Sequence, residues 1–129
     1  MHGGGAVGTV LQQPFAEQFR EQGTPYLSPV RIGDFFGFKV QELAERAHVH
    51  RNTPTARPQA PQLQKYLRDM VRVLAIATEM TGDEKRAAFL LRNEPLRAFG
   101  YKTADTLIQE GKADMVIAFL ESLMGGAAG

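Results

Sequence analysis

Apolar residues along this chain recur at three- and four-residue intervals and almost never alternate, which predicts helices throughout. A short helix is expected from Pro14 to Gln22, with Phe15 and Phe19 four apart and Gly23 as its stop. Ser28-Pro29 reads as a cap followed by a first-turn proline, opening a helix with Val30, Ile32, Phe35 and Phe36 that ends near Gly37. From Lys39 to Ala47, the residues Val40, Leu43, Ala44 and Ala47 fall on one helical face. Pro54, Pro58 and Pro61 then break the pattern. A long helix is expected from Gln62 to Met80, with Leu63, Leu67, Met70, Val71, Leu74 and Ala77 on its buried side. Asp83 is placed to cap a helix through Leu91, Pro95 and Gly100 mark a turn, and Thr103 caps a helix to Glu110. Beyond Gly111 a last helix, Ala113 to Met124, carries Val116, Phe119, Leu120 and Leu123 at i, i+3, i+4, i+7. The fold class is therefore all-α.

Composition narrows this little. The 129 residues suit one domain's worth of core, and the apolar and charged fractions, 43% and 22%, are those of a globular protein. Cysteine is absent, which removes disulfides and thiolate zinc sites and fits a reducing cytoplasm. No apolar run approaches the ~20 residues of a membrane span, and the first ten residues lack the basic and hydrophobic stretches of a secretory leader. A cytoplasmic protein is expected. The net charge of +1 is unevenly spread: residues 39–72 carry +4 and residues 79–129 carry −2. A basic middle beside an acidic end suits two different partners, although an ordinary solvated surface gives the same count.

Candidate chemistry is sparse. The glycines Gly3, Gly5 and Gly8 spell a GxGxxG, but no strand precedes it to form a dinucleotide site. His2, His48 and His50 lack ligand spacing, and no acidic cluster accompanies them, so no metal site is expected. Isolated serines and dispersed acids do not converge, so no catalytic residue, no cofactor and no enzymatic activity are expected.

Two segments carry more information. Val40 to Thr53 has the form of a helix, a tight turn and a polar start to a second helix, with small Ala44 allowing close approach. Arg46, His50, Arg51, Asn52, Thr53 and Arg57 would then face base edges or phosphates. As bare pattern, a plain helical hairpin explains it equally well. Pro54 and Pro58 limit any recognition helix to about one turn. Lys65, Arg68 and Arg72 share a face of the next helix and read as its solvated side, with phosphate contact as the alternative.

The second segment runs from Gly82 to Gly126. Its Asn93-Glu-Pro-Leu96 turn, Phe99-Gly-Tyr-Lys-Thr-Ala104, the Gly111 break and the Val116-to-Gly126 stretch closely resemble the toxin-binding module of Xre/MbcA/ParS type II antitoxins. Val49-His-Arg-Asn-Thr53 resembles the helix-turn-helix-like half that precedes this module, so the resemblance spans residues 28 to 126. Leu90 stands near a position where many relatives carry an aromatic, and Pro54 departs from the usual packing residue.

The resemblance implies a flexible amino terminus (1–12), a helix-turn-helix half (13–81) and a toxin-binding module (82–129). It implies an antitoxin that neutralises a RES-domain, NAD-targeting toxin by occluding its active site. Phe119, Leu123 and Met124 would anchor, and Gly125 and Gly126 would enter the pocket, since small residues let backbone approach closely. Arg92, Arg97, Tyr101 and Lys102, about the Pro95 turn, are further candidate toxin contacts, whereas Val116 and Leu120 read as core. The resemblance also implies a homodimer within the toxin complex that binds its own operator DNA. A stand-alone helix-turn-helix transcriptional regulator and a generic helical adaptor are the competing readings.

Overall fold

The structure, a computed structural model, describes residues 14–125. Among these every regular element is helical, and extended pairing is limited to two isolated bridges, Arg20 with Leu27 and Leu96 with Lys102. The expected amino-terminal glycine motif, His2 and the carboxyl-terminal Gly126 lie outside the described residues. Residues up to Arg68 and residues from Asp69 onward pack as two units.

In the first unit only residues 14–17 of the expected opening helix are helical. The helix stops early because the chain doubles back. Gly23 takes φ 78°, Glu21 N–H donates to Tyr26 C=O at 2.8 Å, and Ser28 N–H donates to Phe19 C=O at 2.7 Å. Helix α1 (Pro29–Phe36) begins where the Ser28 hydroxyl accepts from Arg31 N–H and ends at left-handed Gly37. Helix α2 (Val40–Ala47) buries Leu43, Ala44 and Ala47. The four-residue α3 (Thr53–Ala56) follows, and α4 (Pro61–Thr81) starts at the third proline of the break.

Phenylalanines organise this unit. Phe15, Phe19, Phe35 and Phe36 meet edge-to-face in succession, with centroids 5.2–5.9 Å apart, and Phe36 stacks on Phe38 at 6.0 Å. The Arg46 guanidinium closes the row, 3.9 Å above the Phe38 ring. One buried side chain satisfies three backbone groups that would otherwise be stranded: Gln64 accepts from Leu27 N–H and donates to the carbonyls of Leu27 and Pro58 at 2.7–3.0 Å.

In the second unit, α4 is buried around most of its circumference from Asp69 to Ile76, as befits a central helix. Helix α5 (Glu84–Asn93) is capped by Asp83, which accepts from the N–H groups of Lys85 and Arg86. A 3₁₀ turn (Arg97–Phe99) leads to α6 (Ala104–Gln109), capped by Thr103. Helix α7 (Ala113–Gly125) completes the described chain. Arg72 is not the simple solvated charge of the sequence reading. It bonds Asp69 at 3.1 Å on its own helix and Asp114 at 2.9 Å at the start of α7. Burial works against its charge, but the bonds to Asp114 and Asp69 outweigh it and raise its pKa.

Gly33, in the middle of α1, is required by a close approach: a Cβ there would lie 2.6 Å from the Phe38 carbonyl oxygen. That carbonyl belongs to the residue whose N–H donates back to Gly33 at 2.7 Å. Gly33→Ala is therefore expected to destabilise the protein by about 1–3 kcal/mol, the usual cost of overpacking. Chemical denaturation followed by circular dichroism measures this. Unchanged stability would show that the loop can move aside.

Candidate functional site

The helix-turn-helix-like segment forms as α2, a tight turn and α3. The turn pivots on His48, in the left-handed region at φ 61°. The carbonyls left open at the end of α2 are taken up by Gln62, whose amide donates to Ala47 and His48, each at 3.0 Å. Of the six residues expected to face DNA, His50, Arg51, Asn52 and Arg57 are exposed, whereas Thr53 is buried and Arg46 lies against Phe38. His50 Nδ1 accepts from Asn52 N–H at 3.1 Å, which stiffens the turn. Pro54 is buried in the first turn of α3. Arg51 borders a shallow depression shared with Gln41, Glu42, Glu45 and Val49, so acids stand close to this cation.

In the second unit the Pro95 turn is closed by short backbone pairing. Leu96 N–H donates to Lys102 C=O at 2.8 Å, and Tyr101 N–H donates to Leu96 C=O at 2.9 Å. Gly100 and Tyr101 both take positive φ to permit it. Among the predicted contact residues, Arg97, Tyr101 and Lys102 are exposed on this loop, and Arg92 is half-buried at the end of α5. Lys102 is held by Glu110, with its ammonium 2.9 and 3.0 Å from the two carboxylate oxygens.

Helix α7 is divided along its length. Ala113, Val116 and Ile117 are buried. Phe119 is half-buried and meets the Phe99 ring edge-to-face at 5.4 Å, so it fastens α7 to the loop. Beyond it the cover ends: Leu123 is 55% exposed and Met124 42%, and Gly125 is exposed too. Leu120 is half-buried rather than core. It shares an apolar groove of about 390 Å³ with Ala77, Met80, Leu90, Leu96 and Leu123. The sequence reading assigned Ala77 to the core, placed Met80 at the end of the long helix, and noted Leu90 and Leu96 only as parts of the resembling segment. Periodicity marks a face as apolar but does not say whether a neighbour covers it. Among the described residues no group of three or more His, Asp or Glu could hold a metal ion, and no helix is long and apolar enough to cross a membrane.

An apolar groove beside an exposed helix end is the kind of surface that protein partners use. Residues 77–126 match the family described as antitoxin Xre/MbcA/ParS C-terminal toxin-binding domain. Over these residues the chain is similar to the toxin-binding domain of these antitoxins, which accords with the resemblance seen in its carboxyl-terminal sequence. Residues 1–76 and 127–129 lie outside the match. No curated protein and no solved structure matches the chain.

The Lys102 bond lowers the Glu110 pKa below the ordinary value; desolvation opposes this and Lys112, 3.4 Å away, adds to it. A carboxyl lowered in the folded state stabilises the fold above its unfolded pKa, and that contribution is lost as pH falls through the lowered value. Carbon-detected NMR titration is expected to give Glu110 a midpoint below that of a free glutamate, rising in Lys102→Met. An identical midpoint in the two proteins would mean that the ion pair does not form in solution.

Proposed function

We propose that this protein is the antitoxin of a type II toxin–antitoxin pair and neutralises a RES-domain toxin by seating the end of α7 in the toxin's NAD pocket. The observation that carries this reading is the division of α7. A buried first half and the Phe119–Phe99 contact hold it rigid, while Leu123, Met124 and Gly125 stand uncovered inside the matched toxin-binding segment. Leu123 and Met124 supply the apolar anchors, and Gly125 lets backbone approach the pocket wall. Phe119 acts from behind by bracing the helix. Arg92, Arg97 and Tyr101 provide further polar contacts to the toxin, Arg97 from the groove lining that it shares with Leu123, and Lys102 fixes the loop through Glu110. In this reading the reaction belongs to the toxin, and this chain supplies the plug.

Deletion of residues 124–129 tests the reading directly. The truncated protein is expected to lose its block on NAD consumption by a RES-domain toxin co-expressed with it. Full inhibition by the truncated chain would refute occlusion by this end.

The exposed cluster of His50, Arg51, Asn52 and Arg57 favours a second role in binding operator DNA, as a homodimer placing two such turns on paired half-sites. With α3 only four residues long, phosphate contact outweighs base reading. Gel shifts with the upstream promoter are expected to weaken steeply as salt rises, because phosphate contacts release counterions. Absence of any salt-sensitive shift would remove this role.

A further inference from the structure

An open, apolar groove lies beside the α7 tip, and most of its lining has no role in the plug proposed above. Its lining includes Ala77 and Met80 from α4, Leu90 from α5, Leu96 from the Pro95 turn, and Phe119 and Leu123 from α7. Every lining residue except Val73 falls within the matched segment 77–126. Leu123 belongs both to the groove wall and to the uncovered tip, and Met80 at the mouth is 39% exposed. Groove and tip are therefore one continuous apolar surface. Charge in the lining is confined to Glu94 and Arg97, one of each sign, so neither a nucleic acid nor an anionic membrane surface is attracted there.

We infer that this groove receives an apolar anchor side chain from the toxin, a second contact that grips the partner while the α7 tip blocks its pocket. The inference rests on the reading above that the chain binds a toxin. A volume of about 390 Å³ is near the lower end of small-ligand clefts. It suits one or two large aliphatic or aromatic side chains of a helix lying across α4 and α7. The division of labour is physical: the groove contributes affinity by burying apolar surface, and the tip contributes occlusion by position.

Two full-length variants separate these tasks. Ala77→Phe fills the groove from α4, and Met80→Glu places a charge at its mouth, where the residue is exposed enough to leave the fold intact. Each is measured by calorimetry against the same RES-domain protein, with thermal melts to confirm folding; if Ala77→Phe does not fold, Met80→Glu decides. The expected result is a Kd raised roughly thirtyfold, as for loss of a central anchor. At saturating antitoxin, inhibition of NAD consumption should remain complete because the tip is intact. Folded variants that bind as tightly as the parent would overturn the groove alone. So would sedimentation showing that the variants dissociate a homodimer while toxin affinity holds. Failure of the parent chain to bind the toxin would end the proposed function, and the groove with it.

Discussion

The placement of the exposed end of α7 depends on the edge-to-face contact between Phe119 and Phe99. That contact contributes only about 1 kcal/mol beyond the area it buries, but its position gives it consequence. On one side, Ala113, Val116 and Ile117 tie α7 into the second unit; on the other, Leu123 and Met124 are about half exposed among the described residues. The contact also holds the helix against the loop that closes at Leu96 and Lys102. Tip, loop and groove thus keep fixed positions relative to one another, as an interface requires if it is to bind without first paying for order.

Much of the fold was legible because its helix boundaries are written in cap chemistry. Ser28, Asp83 and Thr103 each accept from backbone N–H groups of a first turn, and Gly37 and Gly111 stand at left-handed ends. The first helix was overestimated because Phe15 and Phe19 have helical spacing whether or not the helix continues. Backbone pairing between Phe19 and Ser28, which ended it, has no side-chain signature. Gly33 was silent for the same reason, since its constraint comes from a carbonyl five residues later.

The site was legible in part. The carboxyl-terminal resemblance pointed to the segment that the family comparison matches, and the tail's small residues and apolar spacing marked its end as unusual. The sequence could not distinguish covered from uncovered apolar residues. Val116 and Leu123 look alike on a helical repeat, yet one is wholly buried and the other more than half exposed. Nor could it foresee that Thr53 turns inward, that Arg46 is taken up by Phe38, or that Arg72 serves Asp69 and Asp114. Each depends on a partner distant from the local pattern.

In the proposed complex the second unit grips a toxin through α7 and its neighbouring groove. Hydrogen–deuterium exchange on the full chain, free and bound to a RES-domain toxin, reads out that grip. New protection is expected in the last turns of α7 and along the groove-lining parts of α4 and α5, with residues 14–60 unchanged. Protection confined to the helix-turn-helix-like segment, with α7 exchanging as in the free protein, would contradict it.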